Sequence, residues 1–265
     1  MHPADNCGTN ADSNYSSLEI IMEYYGITDI GSSRTSNQDT FRALVLDDPD
    51  LGIFLVCDGM GGAKAGNIAS WMTAEYVSAE VRKNLTEKYN KNSISTYLSK
   101  AIMKANDAVY KKSCTEEDCR GMGTTIVAAV CAGDDLIIAN VGDSRAYLIN
   151  EKGILKITRD HSLVEDLIMR GEITKDAARF HPHKNIITRA IGTSNLVLPD
   201  IFSPNITEED IILLCSDGLS NVITDDEIKS IVINSANLQE AAENLIKNAL
   251  TNSAPDNITA VLFKI

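Results

Sequence analysis

Short apolar runs bordered by aspartate and glycine are the feature that most constrains how this chain can fold. Each run is rich in β-forming residues, so each predicts a strand. Asp48, Pro49 and Asp50 predict a hairpin between the first two runs, and Gly-Asp turns predict a β-meander between residues 124 and 149. The runs occupy residues 41–47, 52–58, 124–132, 136–141, 145–149, 211–217 and 258–265.

Helical periodicity appears in other parts of the chain. Apolar residues recur at helical spacing over residues 66–89, 94–109 and 238–249, and Thr224 with Glu227 forms a capping box that begins a further helix. Strands and helices are grouped rather than strictly alternating. This order favours an α+β sandwich over a doubly wound parallel sheet.

The composition of the chain limits the classes of function that it can have and the number of domains that it can form. The 265 residues include 24 basic and 37 acidic side chains, which argues against a nucleic-acid-binding surface. Residues 1–21 are polar, without a signal sequence, and are expected to form a disordered tail before one domain at residues 22–265. No apolar run is long enough to cross a membrane, and Cys57, Cys131 and Cys215 are expected to be reduced core thiols, so the predicted location is the cytoplasm.

Five aspartates lie at or beside the expected ends of strands and can converge on one pole of a sandwich. A single Asp-Gly pair is usually only a turn, but five acidic positions beside apolar strands favour a common site. Clustered carboxylates repel one another unless a cation neutralises them, so the pattern indicates an oxygen-lined divalent metal site. The five residues are Asp39, Asp58, Asp143, Asp217 and Asp256.

The same residues lie in motifs that resemble those of the metal-dependent protein phosphatases of type 2C, the PPM family. The eight motifs occur in family order and span the chain from about residue 22 to its end, which makes coincidence an inadequate explanation. They read GSSRTSNQD (31–39), VCDGMGGAKAGNIAS (56–70), GMGTT (121–125), NVGDSRAY (140–147), TRDHSLV (158–164), ITRAIG (187–192), LCSDGL (214–219) and APDNIT (254–259).

The resemblance implies both a fold and a metal centre. The fold is a central β-sandwich of two mainly antiparallel sheets flanked by pairs of α-helices, with two Mn²⁺ or Mg²⁺ ions at one end. Asp39 is expected to act through metal-bound waters, and Asp143 matches a position that holds a third, weaker ion in some bacterial relatives. The expected inner-shell ligands are Asp58, which bridges both ions, the carbonyl of Gly59, Asp217 and Asp256.

The implied activity is that of a bacterial-type serine/threonine phosphatase. A water held between the two ions is expected to attack the phosphorus of phosphoserine or phosphothreonine, with Asp58 and Arg34 as the catalytic residues. Arg34 matches the phosphate-binding arginine of the family, and a guanidinium can hold two phosphate oxygens. A surface ion pair with Asp29 or Asp39 is the alternative interpretation of Arg34.

Several positions depart from the family pattern and bear on proton transfer. Gln38 replaces the glutamate of many eukaryotic members, and Met60 and Ala63 stand where relatives carry a histidine. No protein general acid is therefore assigned, and a metal-bound water is the expected proton donor. His161 lies beside a turn, where a structural role is favoured.

Residues 162–192 align with the flap that contributes to substrate recognition in bacterial members. The expected partners are phosphorylated proteins, including a Ser/Thr kinase, and neither nucleic acid nor a membrane; the chain is expected to be a monomer. Two alternatives share the fold: a phosphatase dedicated to one regulatory phosphoprotein of the anti-sigma-factor antagonist type, and a non-catalytic pseudophosphatase. The second is disfavoured because every expected metal ligand is present.

Overall fold

The computed structural model describes residues 22–48, 50–61, 65–85 and 90–264. The predicted tail at residues 1–21 and the departure at Ala63 lie outside these described residues.

The described residues form strands β1 (Glu23–Asp29), β2 (Asp39–Val45), β3 (Leu51–Met60), β4 (Gly123–Thr124), β5 (Ile126–Ala132), β6 (Asp135–Val141), β7 (Arg145–Asn150), β8 (Gly153–Lys156), β9 (Asp200–Phe202), β10 (Ile211–Cys215) and β11 (Ile258–Lys264). They also form helices α1 (Ala65–Asn84), α2 (Lys91–Thr115), α3 (Leu163–Met169), α4 (Lys175–Arg179), α5 (Asp217–Ser220), α6 (Asp225–Asn234) and α7 (Leu238–Thr251).

The strands pair into two antiparallel sheets that face each other. One sheet has the order β1-β11-β10-β7-β8, and the other has the order β2-β3-β5-β6-β9, with β4 paired to the end of β3. Between the sheets the rings of Phe54 and Phe263 stack with their centroids 4.1 Å apart. Helices α1 and α2 pack against the second sheet, and α6 and α7 contact the first. The predicted α+β sandwich flanked by helix pairs is confirmed.

The central strands are apolar throughout because both of their faces are buried. In β3, Ile53, Leu55 and Cys57 belong to the core under α1 and α2, whereas Phe54 and Val56 point between the sheets. A strand with two buried faces needs no polar alternation. Cys131 and Cys215 are also fully buried free thiols, as predicted for all three core cysteines.

The local predictions hold for hairpins and fail at one crossover. Strands β2 and β3 form the predicted hairpin, and Thr224 caps α6 through the predicted capping box. The β-meander over residues 124–149 is wrong, because β5 pairs with β6 but β7 belongs to the opposite sheet. The turn at Gly142 (φ +111°) therefore connects the two sheets. Across the described residues no helix is long and apolar enough to cross a membrane.

Candidate metal centre and phosphate site

Asp39 and Asp58 lie directly opposite each other where β2 and β3 pair. The Oδ2 atom of Asp39 accepts hydrogen bonds from Ser216 Oγ at 2.8 Å and Thr259 Oγ1 at 2.7 Å, both from the other sheet. Its Oδ1 atom is buried and has no hydrogen-bond partner among the described residues. One oxygen of Asp39 is therefore fixed by the protein, while the other is left available to a ligand.

The backbone of Asp58 is held from both sides by the threonines of the GMGTT motif. Its N–H donates to Thr125 Oγ1 at 3.0 Å, and its carbonyl accepts from Thr125 N at 2.9 Å and Thr124 Oγ1 at 2.8 Å. Thr125 Oγ1 also lies 2.6 Å from Ser144 Oγ, next to Asp143. These contacts connect the Asp58 strand to the loop that carries Asp143.

Gly59 is packed so closely that only glycine fits. A Cβ added there would lie 2.3 Å from Gly66 O and 2.5 Å from Gln38 O. The same Gln38 carbonyl accepts two hydrogen bonds, one from the Gly59 N–H at 3.2 Å and one from Ser70 Oγ at 2.6 Å. The missing side chain lets the start of α1 approach the end of β3, and this contact fixes the peptide that carries the predicted carbonyl ligand.

Replacing Gly59 with alanine should lower the free energy of unfolding by about 1–3 kcal/mol, because the new methyl group must displace backbone atoms. The same shift should weaken Mn²⁺ binding. Denaturant unfolding and calorimetric Mn²⁺ titration measure the two effects. Gly153→Ala is the matched control, since a Cβ there meets no atom within 4 Å. Equal stability of the two variants would contradict the packing argument.

Asp217 is the first residue of α5, immediately after the end of β10 and Ser216. Its Oδ2 accepts from Asn221 Nδ2 at 2.9 Å. The next residue, Gly218, has no room for a side chain, because a Cβ there would lie 2.0 Å from Asn257 O. The start of α5 therefore lies in close contact with the loop that carries Asp256.

Arg34 reaches this cluster through an ion pair with Asp256. Its Nη2 atom lies 2.7 Å from Asp256 Oδ2, and the Arg34 side chain is 54% exposed. The predicted alternative, a pair with Asp29 or Asp39, is not the arrangement found. The guanidinium thus lies at the rim of the carboxylate cluster with most of its surface accessible to a ligand.

Asp143 follows β6 at the crossover between the sheets. Its carboxylate is buried, and within the described part of the chain its Oδ1 atom has no hydrogen-bond partner. The turn before it is held by His161, whose Nδ1 atom accepts from Gly142 N at 3.0 Å, and by Asn140, whose Nδ2 atom donates to Gly142 O at 3.1 Å. His161 Nε2 lies 3.3 Å from Asp200 Oδ2, and burial lowers the pKa of this imidazole. These contacts fit the structural role predicted for His161.

Burial, followed by repulsion between neighbouring carboxyls, raises the pKa of four aspartates of the cluster, Asp39, Asp58, Asp143 and Asp217. Burial raises the pKa of Asp58 well above its ordinary value, and the charges of the other four aspartates raise it further. Burial raises the pKa of Asp39 to about 7, in spite of the hydrogen bonds from Thr259 and Ser216. Burial also raises the pKa of Asp143 and of Asp217. The charges of all four neighbours act on the Asp58 carboxyl, which places Asp58 within the cluster.

Asp160 shows how a buried aspartate behaves when the protein supplies its own cations. Burial alone would raise its pKa, but Arg145 Nη2 at 2.7 Å and Lys156 Nζ at 3.2 Å lower it overall. In the cluster, only Arg34 on Asp256 makes a direct ion pair among the described residues. The cluster therefore lacks positive charge, which a divalent cation would supply.

The donor set fits hard divalent ions such as Mn²⁺ and Mg²⁺. It consists of oxygen atoms, and two of them, Asp39 Oδ1 and Asp143 Oδ1, are buried without a partner. Within the part of the chain that the structure describes, no three acidic, His or Cys side chains form a closed metal cage. In this arrangement Asp256 accepts a hydrogen bond from Arg34, and Asp217 accepts one from Asn221.

Sequence reasoning missed the polar residues that hold this site together. Ser216 and Thr259 are 177 and 220 residues from Asp39 in the chain, so their hydrogen bonds to it cannot be predicted from local pattern. Asn257 directly follows Asp256, and its contacts with residues 30–38 are equally distant in the chain. All three lie inside the quoted motifs, which is the signal that could have identified them.

Comparison with known proteins identifies the family. The model of the family Protein phosphatase 2C matches residues 31–253. A serine/threonine phosphatase of Listeria monocytogenes is 40% identical over 235 residues, which cover 89% of this chain and 92% of the relative. The protein phosphatase PhpP of Streptococcus pneumoniae is 35% identical over 241 residues, covering 91% and 96% of the two chains.

Solved structures agree with the sequence relatives. A serine/threonine phosphatase from Staphylococcus aureus matches with a TM-score of 0.87 at 34% identity, covering 96% of this chain and 99% of that one. The catalytic domain of the phosphatase PstP, in complex with two manganese ions, matches with a TM-score of 0.79 at 30% identity, covering 92% and 97%. The predicted family and enzyme class are confirmed: the chain belongs to the protein phosphatase 2C family and is a metal-dependent protein phosphatase.

Proposed function

We propose that this protein hydrolyses phosphoserine and phosphothreonine in proteins, with Mn²⁺ or Mg²⁺ bound at the aspartate cluster. The observation that carries the proposal is the convergence of five aspartates around Asp58, with the guanidinium of Arg34 at the rim of the same cluster. The serine/threonine specificity of the Listeria and Staphylococcus relatives supports the substrate class.

Two ions are proposed at the cluster, in line with the two manganese ions of the PstP structure. Asp39 would contribute through bound waters, and Asp143 with Asp217 would form a third, weaker site. The buried, unpaired oxygens of Asp39 and Asp143 support these two assignments. The inner-shell ligands are proposed to be Asp58, the carbonyl of Gly59, Asp217 and Asp256.

Metals bound at this cluster would supply chemistry that the side chains cannot, because two divalent ions lower the pKa of a shared water and orient it for in-line attack on phosphorus. The protein residues bind and orient the substrate. Arg34 presents N–H groups that can hold two phosphate oxygens, and its pKa is raised by the hydrogen bond to Asp256, so it stays charged.

Neither His161 nor Met60 fits the role of general acid. The two ring nitrogens of His161 face Gly142 and Asp200, and the imidazole is buried. Met60, at the end of β3, has no exchangeable proton. The proton donor expected from the sequence, a metal-bound water, therefore stays a prediction.

The decisive experiment is hydrolysis of p-nitrophenyl phosphate and of a phosphothreonine peptide with Mn²⁺, with Mg²⁺ and with EDTA. Turnover of both substrates with metal and none with EDTA is expected. A parallel assay on a phosphotyrosine peptide tests the substrate class, and faster turnover of that peptide would contradict it. Absence of turnover under every condition would favour the pseudophosphatase alternative.

The segment after α4 is proposed to recognise the protein part of the substrate. Phe180 is 87% exposed and lies between Arg179 and His181, on the stretch that aligns with the bacterial flap. Replacing residues 179–183 with a Gly/Ser linker should change preference among phosphopeptides and leave p-nitrophenyl phosphate hydrolysis unchanged, because the small ester has no peptide part for this segment to contact. Equal losses on both substrates would contradict this assignment. Steady-state kinetics on both substrates measure the split.

The cellular setting is also a proposal. The physiological substrates are proposed to include a Ser/Thr kinase, and the protein is proposed to act as a cytoplasmic monomer. The free, buried thiols of Cys57, Cys131 and Cys215 suit a reducing compartment. Size-exclusion chromatography with light scattering tests the monomer, and dephosphorylation of a panel of phosphoproteins separates a general phosphatase from a dedicated one.

A further inference from the structure

The loop at residues 30–38, which carries Arg34, has little apolar packing to hold it in place. It connects β1 to β2, and its residues 32–36 are all exposed. An exposed loop of this kind has many accessible conformations, and ordering it costs conformational entropy. Other contacts must therefore place the guanidinium next to Asp256.

Asn257 supplies those contacts from beneath the loop. Its Nδ2 donates to Ile30 O at 2.9 Å and to Ser36 O at 3.1 Å, and its Oδ1 accepts from Gln38 N at 2.9 Å. The side chain is buried, with 4% of its surface exposed. Two carbonyls and one N–H fix the orientation of the amide, and both of its donor hydrogens are used.

Further contacts join the same two loops near the Asn257 amide. Ser32 donates to Ala254 O from its backbone N–H at 2.9 Å and from its hydroxyl at 2.8 Å. Gly31 (φ +75°) packs so tightly that a Cβ would lie 1.9 Å from Asp256 O. The Arg34 loop and the Asp256 loop are therefore joined by several hydrogen bonds, and Asn257 binds the Arg34 loop at Ile30, Ser36 and Gln38.

We propose that Asn257 is a positioning residue that holds the Arg34 loop over the metal centre and so sets the affinity for the phosphate group. Asn257 itself reaches neither substrate nor metal in this role and acts through Arg34. The proposal rests on the proposed phosphate-binding function of Arg34.

The test measures inorganic phosphate as a competitive inhibitor of p-nitrophenyl phosphate hydrolysis at saturating Mn²⁺, together with calorimetric Mn²⁺ binding. Asn257→Ala should raise the phosphate inhibition constant about tenfold, the effect expected when a hydrogen bond to a charged group is lost. Its Mn²⁺ affinity should stay close to that of the wild type, because the Asp256 carboxylate remains. A loss of Mn²⁺ affinity as large as that of Asp256→Ala would overturn the proposal.

A double-mutant cycle separates action through Arg34 from a general effect. If Asn257 acts through Arg34, then adding Asn257→Ala to Arg34→Ala should leave the phosphate inhibition constant unchanged from Arg34→Ala alone. Additive effects would overturn the proposal. An unchanged constant in Arg34→Ala itself would instead refute the proposed function of Arg34, which keeps the two failures distinct.

Asn150→Ala is the matched control for lost asparagine hydrogen bonds. Asn150 also makes three of them, to Asp210, Lys152 and Gly153, at the turn between β7 and β8. Asn150→Ala should lower the melting temperature without changing the phosphate inhibition constant, and a rise in that constant would overturn the proposal.

If Asn257→Ala fails to fold, Ser32→Ala replaces it, because Ser32 is exposed and its hydroxyl joins the same loops. Ser32→Ala should then raise the constant about twofold, as for a weak neutral hydrogen bond, and no rise would overturn the proposal.

Discussion

Asp58→Asn should abolish metal-dependent hydrolysis of p-nitrophenyl phosphate, lowering kcat/KM at least about 1,000-fold, equivalent to about 4 kcal/mol. Besides burial, the charges of all four other aspartates raise the pKa of Asp58, so its removal affects the whole cluster. The change keeps the shape of the side chain and leaves the backbone contacts of Asp58 with Thr124 and Thr125 in place. Steady-state kinetics over a range of Mn²⁺ concentrations measure the loss.

The folded state should survive this change, which separates loss of chemistry from loss of structure. Without metal, Asp58→Asn removes a repelled buried charge, so its melting temperature should equal or exceed that of the wild type. Asp217→Ala should also lose turnover while remaining folded. Asp107→Asn is the matched control, since Asp107 lies on the exposed face of α2 and forms a surface ion pair with Lys111. Wild-type activity in Asp58→Asn or Asp217→Ala would refute the site assignment.

Metal-free protein should lose stability as the pH rises from about 5 to about 7, an interval that lies between the ordinary pKa of an aspartate and the pKa of about 7 that burial gives Asp39. Burial gives Asp39 a pKa of about 7 in the folded state, far above that of an unfolded aspartate. The folded state therefore binds more protons than the unfolded state, and raising the pH favours unfolding. Each pKa unit corresponds to about 1.4 kcal/mol, so the melting temperature should fall by about 5 °C or more.

Mn²⁺ or Mg²⁺ should remove most of this pH dependence, because a bound cation stabilises the ionised carboxylates that repulsion disfavours. Calorimetric melting with EDTA and with each metal, across the same pH interval, measures the effect. In EDTA, Asp39→Asn should show a smaller fall than the wild type, since one titrating group is gone. A metal-free melting temperature that rises with pH over this interval would contradict the electrostatic picture of the cluster.

Local sequence was enough to predict the secondary structure elements that depend on residues close together in the chain. The apolar run of β3 and the Asp48–Asp50 turn predict the hairpin with β2, because adjacent strands joined by a tight turn pair with little loop-closure cost. The capping box at Thr224 predicts the start of α6 in the same way. Strands β1, β4, β8 and β9 were not predicted. In β4 and β9 the reason is length, since two or three residues carry no periodic signal.

The β-meander prediction shows where local signals fail. Gly142, Asp143 and Ser144 look like an ordinary hairpin turn, yet the chain crosses from one sheet to the other there. The reason is tertiary: β7 pairs with β10, which lies far along the chain, and His161 and Asn140 hold the turn in its crossing conformation. None of these partners can be identified from the turn itself.

The sequence by itself determined the family, the fold class and the set of acidic side chains, because motif spacing and apolar runs carry that information along the chain. Tertiary structure alone decided which oxygens of those aspartates are satisfied and which are left for a ligand. It also decided that Arg34 pairs with Asp256 and that Asn257 holds the Arg34 loop. These contacts join residues more than 200 positions apart, so they exist only once the two sheets have packed face to face.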